Sequence, residues 1–274
     1  QKKMNNKCNK ITLVCNKGGV GRSTTTINVG WYLASIGKKV IIVDLDAQAN
    51  TSKTLAKDFE GQVLRNGANK NLTALVENER AVLDEYLVDT RHPNLKLLAS
   101  EWSLDITEEK IKTTATPSHI LAEKLEGIDD IADYVIFDTP PRKTDKLIHN
   151  ALVISDWYWF IVGAEDLWSL DAKSAMDTIL RSIRKLNKSL RGVPVLLTRY
   201  KANTLMSQSV SNAVDDLFVD VGQMKSKIRN TTHIPRAILS GKSIFEYSKK
   251  NSAASDVADD YVEATKELIK WVSK

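Results

Sequence analysis

Residues 16 to 24 carry the clearest chemistry: Asn16-Lys17-Gly18-Gly19-Val20-Gly21-Arg22-Ser23-Thr24. Glycines, cations and hydroxyls at this spacing make a loop suited to a polyphosphate. Its backbone N–H groups turn inward, and a helix starting at its end adds partial positive charge. Such a loop usually ends Gly-Lys-Ser/Thr, with lysine on the β- and γ-phosphates and the hydroxyl on Mg²⁺. Here Gly21-Arg22-Ser23 keeps the hydroxyl and exchanges the lysine. Arginine is a planar fork rather than a compact point charge, and it needs room inside a tight cradle. Nucleotide binding is therefore expected to survive the exchange better than hydrolysis. Carboxylates come next. Tyr134-Val135-Ile136-Phe137-Asp138-Thr139-Pro140-Pro141 is an apolar run ending in an acid and two prolines. It reads as a buried parallel strand delivering Asp138 to the sheet edge where open α/β folds place their ligands. There Asp138 would accept from Mg²⁺-bound water or from the Ser23 hydroxyl, since Mg²⁺ keeps several waters.

These groups need elements to hold them. Lys10 to Cys15 is a short β-branched run ahead of the glycine loop, and Thr25 to Ile36 follows it with Ile27 and Trp31 at helical spacing. Lys39 to Asp44 reads as a second strand, with Asp44 and Asp46 at its end. Further strands are expected at Asp156 to Val162 and Val193 to Thr198, with helices near Leu170 to Leu186, Leu205 to Phe218 and Ser255 to Val272. Alternation of this kind predicts an α/β fold, a doubly wound, mostly parallel sheet flanked by helices. Residues 51–130 fit less well: 71–78 and 117–125 look helical and 95–99 strand-like, without recognisable chemistry. With 274 residues, 42% of them hydrophobic, the chain can bury a large core. Residues 10–274 are read as a single domain, because the site residues are spread from Lys17 to Arg236 with no linker between. Residues 1–9 are read as a basic N-terminal arm or a trimmed start.

Lys17-Gly18-Gly19-Val20-Gly21, followed by two acidic strand ends, resembles the ParA/MinD-type deviant Walker A ATPases, and the ParA (Soj-like) partition proteins among them. Asp44-Leu45-Asp46-Ala47-Gln48-Ala49-Asn50 looks like that family's Asp-Leu-Asp-Pro-Gln-Gly-Asn segment, with Ala47 and Ala49 in place of proline and glycine. Asp138 falls on its Walker B position. Toward the C-terminus, Ile234-Pro235-Arg236, Gly241-Lys242 and Ser243 to Tyr247 resemble the partition ATPases' segment near the adenine base. The resemblance implies ATP and Mg²⁺ as ligands. Lys17 reaches in trans across a nucleotide sandwich homodimer, and Gly18, Gly19, Val20, Gly21, Arg22, Ser23 and Thr24 hold phosphates in cis, with Pro235 and Arg236 toward the base. Asp46 positions the attacking water, while Ser23, Asp44 and Asp138 serve the metal. It also implies nonspecific DNA binding, and release by hydrolysis that a centromere-binding adaptor stimulates, ParB-like or a small ribbon-helix-helix protein. Plasmid or chromosomal DNA would be the cargo. The alternative is a nucleotide-gated DNA-binding scaffold that hardly hydrolyses, because Arg22 replaces the lysine.

Charge agrees with a nucleic-acid partner. The net charge is +5, and Lys225, Lys227 and Arg229 are the preferred DNA contacts, since Gly222 and Asn230 bracket them as an exposed segment. A second basic run includes Arg181, Arg184 and Lys185 on one expected helix. The two cysteines, Cys8 and Cys15, are too few for a disulfide scaffold and argue against the related nitrogenase iron proteins. Cys15 reads as a small core residue. No run of about 18 apolar residues is present, so nothing spans a membrane, and a cytoplasmic, nucleoid-associated protein is expected. A MinD-like membrane helix at the C-terminus is disfavoured, because Val257, Tyr261, Leu268 and Val272 form an ordinary core stripe.

Overall fold

The computed structural model describes residues 8–15, 17–64, 69–114, 116–141, 146–167 and 173–274. Most of the basic arm, Asn16 of the glycine loop and the expected helix start at Leu170 lie outside these residues. Eight strands form one sheet: β1 (Asn9–Val14), β2 (Val40–Asp44), β3 (Val88–Asp89), β4 (Leu95–Leu98), β5 (Tyr134–Asp138), β6 (Trp157–Gly163), β7 (Arg191–Tyr200) and β8 (Gln223–Arg229). Their order is β3-β4-β2-β5-β1-β6-β7-β8, with β3 antiparallel to β4 and every other neighbour parallel. This is the doubly wound sheet that the alternating apolar runs predict.

Strands buried on both faces need apolar side chains at every position, which is why β2, β5 and β6 read as unbroken hydrophobic runs. The two-residue period then sends Val40 and Ile42 to one face and Ile41 and Val43 to the other. On the first face the Arg22–Ser35 helix packs on β2 and β5 beside the long Ser255–Val272 helix, which lies over β7 and β8. It touches apolar surroundings on two sides, so its own amphipathic pattern is weak. Gly30 permits the close approach, because a Cβ there would stand 2.6 Å from Ile42 Cδ1. Val257, Tyr261, Leu268 and Val272 are buried in the same layer, as their spacing predicts. On the second face the Leu104–Lys112 and Lys146–Ile154 helices, which the sequence reading did not single out, contribute Leu104, Ile111, Leu147 and Ala151 to the core.

Register aligns the chemistry. Asp44 and Asp138, the last residues of β2 and β5, are direct neighbours, and Leu13 of β1 pairs with Asp138 on its other side. All three strands therefore finish at one level, where β1 runs on into the glycine loop. Lys225, Lys227 and Arg229, expected on an exposed segment between Gly222 and Asn230, are on edge strand β8, where Lys225 and Arg229 are exposed and Lys227 is half-buried. Met224 and Ile228 alternate with them and are buried, so the segment is amphipathic with period two. Among the described residues, no helix is long and apolar enough to cross a membrane.

Candidate functional site

The glycine loop wraps a cleft of about 450 Å³ at the carboxyl ends of β1 and β2. Lys17, Gly18, Gly19, Val20, Gly21, Arg22, Ser23 and Thr24 all line it, together with Asp46. Gly19 and Gly21 adopt φ of +82° and +88°, the left-handed region that side chains avoid. At Gly21 this bend turns the chain straight into the Arg22–Ser35 helix, whose first N–H groups have no partner within the helix. Thr198, at the end of β7, fixes the loop from behind by donating its hydroxyl to the Val20 carbonyl. The result is a rigid concavity of N–H groups, matched to phosphate oxygens.

Arg22 does not point freely into that concavity. Its side chain is only 6% exposed. Nε donates to Asp138 Oδ1 at 3.0 Å, Nη1 to Cys15 Sγ at 2.9 Å, and Nη2 reaches Asp46 Oδ2 at 3.5 Å. Cys15 is thus more than a small core residue, because its sulfur accepts from the loop's arginine, and burial raises its thiol above the ordinary value. Asp138 is wholly buried, and its other oxygen accepts the Thr51 hydroxyl at 2.5 Å. Asp44 lies behind the cleft. Its Oδ2 accepts the Ser52 hydroxyl and amide at 2.7 and 2.9 Å, and its Oδ1 accepts the Asp46 amide at 3.1 Å. Burial, followed by the adjacent Asp138 carboxylate, pushes Asp44 up to about 7 despite those hydrogen bonds. Asp46 stays at the cleft wall, where Oδ1 accepts the Gln48 amide at 3.0 Å. Ala49, at the family's glycine position, has φ 54° in the tight turn that follows.

A divalent metal is the group that a phosphate-binding loop implies. Ser23 lines the cleft as such a metal would require. The carboxylates, as arranged, do not fit one: both Asp138 oxygens are taken by Arg22 and Thr51, and both Asp44 oxygens by Ser52 and the Asp46 amide. Among the described residues, no group of three or more His, Cys, Asp or Glu side chains could hold a metal ion.

Lys17, whose Nζ lies 2.5 Å from Asp166 Oδ2, is paired within its own chain, and both side chains are partly exposed. Pro235 lines a second cavity of about 150 Å³ that shares Gly21 and Thr24 with the phosphate loop. Arg236, one residue on, is exposed and does not line it. The DNA candidates are further away and engaged. Arg229 donates to Asp260 and Asp256, Lys227 Nζ sits 4.3 Å from the centre of the Tyr200 ring, and Lys225 is exposed.

Several residues at the site escaped the sequence reading. Thr51 is the second residue of the short Asn50–Leu55 helix after the acidic strand end; its one signal was a hydroxyl directly following Asn50. Thr198 and Arg199 lie near the end of a buried strand at the ligand edge, a position that could have marked them. Arg199 has φ 52°, lines both cavities and pairs with Glu165 at 2.7 Å.

Sheet order, glycine loop and acidic strand ends define a P-loop nucleotide-binding fold. Residues 8–192, well over half of the chain, match the family described as an AAA domain. The chain is 30% identical over 261 residues to the sporulation initiation inhibitor protein Soj of Bacillus subtilis, covering 94% of this chain and 98% of that one. It is 33% identical over 205 residues to the chromosome-partitioning ATPase Soj of Thermus thermophilus, covering 74% of each. An ATP complex of McdA from Cyanothece shares the fold, with a TM-score of 0.81 at 17% identity over 95% of this chain and 96% of that one. The chain belongs to the ParA/MinD-type deviant Walker A ATPases, alongside the ParA and Soj proteins.

Proposed function

We propose that this chain is a ParA-type partition ATPase for plasmid or chromosomal DNA, working as one domain over residues 10–274. It binds ATP with Mg²⁺ in the cleft and closes as a nucleotide sandwich homodimer. In that state it associates nonspecifically with DNA at the nucleoid, in the cytoplasm. A centromere-binding adaptor stimulates hydrolysis and so releases it. The single observation that carries this reading is the cleft of about 450 Å³ lined by Lys17 through Thr24 and walled by Asp46. Phosphoryl transfer is catalysed mainly by positioning and charge stabilisation, and these residues supply both. Lys17 leaves Asp166 to reach the partner subunit's phosphates, Arg22 meets the phosphates of its own site, Thr24 supports the α-phosphate and Asp46 orients water. Pro235 and Arg236 flank the base, next to the smaller cavity.

Isothermal titration calorimetry of the folded chain with ATP tests the nucleotide claim, and an absence of heat would end it. DNA binding through the Lys225, Lys227 and Arg229 region is expected to require ATP and to weaken steeply with salt; affinity indifferent to both would count against it.

The burial of Arg22 among Asp138, Asp46 and Cys15 favours a second reading, a nucleotide-gated DNA scaffold with little turnover. Steady-state ATP turnover by this chain and by Arg22→Lys, with DNA and adaptor present, separates the two. Equal robust rates would remove the scaffold, whereas turnover gained only with lysine would support it.

A further inference from the structure

Strand β7 carries a surplus residue at its ligand end. From Leu197 to Tyr200 it takes three steps where its partner β8 takes two, from Lys227 to Arg229. The surplus is absorbed as a β-bulge at Thr198 and Arg199, where Arg199 adopts φ 52°. Left-handed backbone is costly for a residue with a long side chain, and it persists only where the surroundings hold it. Here they do. Thr198 donates its hydroxyl to the Val20 carbonyl of the glycine loop, its own carbonyl accepts the Ala164 amide at 2.9 Å, and the Tyr200 carbonyl accepts the Asn230 amide at 2.9 Å. Bulges beside binding sites re-aim side chains, and this one turns a strand-end arginine toward the phosphate loop. The guanidinium lies over Gly19, where an added Cβ would stand 3.9 Å from Arg199 Nη2. Arg199 thereby lines both the cleft of about 450 Å³ and the smaller cavity beside it.

Among the described residues three cations line the cleft, and they are held with different strength. Arg22 sits in a buried cage of Asp138, Asp46 and Cys15. Lys17 pairs with Asp166, both partly exposed. Arg199 pairs with Glu165 at 2.7 Å, and their side chains are 44% and 42% exposed. A pair so well solvated contributes little, so exchanging that carboxylate for another anion costs little. Phosphate oxygens accept from a guanidinium fork two at a time, which a strand-end arginine above a glycine loop can offer. Glu165 Oε1 also accepts from Asn230 Nδ2 at 3.3 Å, so the carboxylate keeps a partner when the arginine leaves.

We propose that Arg199 is a phosphate-binding residue: on nucleotide entry its guanidinium moves from Glu165 to the polyphosphate of its own site, and Glu165 is the competing anion that holds it beforehand. Resting on the nucleotide-binding reading, this adds a third cation to Lys17 and Arg22 at the phosphates.

Binding of N-methylanthraniloyl-ATP with Mg²⁺, and its displacement by inorganic tripolyphosphate, tests the assignment on the folded chain. Arg199→Gln should weaken both ligands at least about tenfold, the loss expected for a charge-assisted contact, and Arg199→Lys should recover part of it. Tripolyphosphate has neither base nor sugar, so a shared loss belongs to the phosphates. Glu165→Gln should act in the opposite direction, tightening both ligands about threefold, and that gain should vanish in the Arg199→Gln background. Melting temperatures of all these variants should stay within about 4 °C of the wild type's, because the exposed pair contributes little. Binding of both ligands by Arg199→Gln within about twofold of the wild type overturns the proposal, as does a weakening confined to the ATP analogue or a Glu165→Gln gain that persists without Arg199. Where Arg199→Gln does not fold, Glu165→Gln decides, since a loss of affinity there has the wrong sign. A wild-type chain that binds neither ligand removes the nucleotide reading and the role of Arg199 together, whereas wild-type binding untouched by Arg199→Gln removes only the latter.

Discussion

Two arginines of this chain each grip two carboxylates, and their surroundings make them different devices. Arg22 is 6% exposed and holds buried Asp138 and, at the cleft wall, Asp46. Arg229 is 48% exposed and holds Asp256 and Asp260 at the edge of the sheet. In water-excluded surroundings each charge has lost its hydration, so deleting one partner strands the other. At the surface, solvent replaces whatever the pair supplied. Burial, rather than the number of contacts, decides how much each arginine matters. The same comparison bears on function. A guanidinium facing Asp256 and Asp260 brings less net positive field to a DNA backbone than the sequence suggests, whereas one locked beside Asp138 lines the cleft that the glycine loop wraps.

The sharpest way to break this contrast is to remove the buried guanidinium. Arg22→Gln should lower unfolding stability by about 3–5 kcal/mol, because it leaves Asp138 uncompensated. Urea denaturation measures it, and a loss below about 1 kcal/mol would mean that solvent reaches the cage. The crowding of acids behind that cage has a pH signature. Asp44, at about 7 in the folded chain against 3.8 ordinarily, keeps a proton that the unfolded chain has released. Its contribution is therefore full below pH 4 or so and is lost as pH rises through 7. Melting curves of wild type and Asp44→Asn should diverge across that window, with the wild type losing stability relative to the variant; parallel curves would show that Asp44 is ionised throughout.

At the exposed end of the comparison, Arg229→Gln should cost no more than about 1 kcal/mol, and the effect should fade in high salt. A salt-insensitive loss of several kcal/mol would erase the distinction between the two arginines. Smallest of all, Asp166→Asn should change stability by less than about 0.5 kcal/mol, since Lys17 is itself partly solvated. The same denaturation curves check it, and a larger loss would make the Lys17–Asp166 pair a structural element.

Legibility followed locality. The glycine loop, the acidic ends of β2 and β5 and the core stripe of the last helix were readable because turn chemistry and periodicity are written in adjacent residues. Strand β8 was missed because charged residues alternate with only two buried apolar ones, Met224 and Ile228, and such a pattern also suits an exposed loop. Thr51, Thr198 and Arg199 were missed as site residues for another reason. Thr51 meets Asp138, Thr198 meets the Val20 carbonyl and Arg199 lines the cleft only because parallel strands far apart in the chain finish at one edge. Asp44 was expected beside the metal, and its rank behind the cleft depended on Ser52, in the first turn of the Asn50–Leu55 helix, to which no local signal pointed.

The amino-acid order alone determined that a phosphate-shaped loop, a parallel sheet and three acids would exist, since backbone conformation and hydrophobic period depend on near neighbours. Tertiary structure alone decided that Arg22 turns toward Asp138, that Lys17 rests on Asp166 and that Arg229 pairs with Asp256 and Asp260. Those outcomes depend on distances between residues more than twenty positions apart, and charge interactions are set by such distances and by the water left between them.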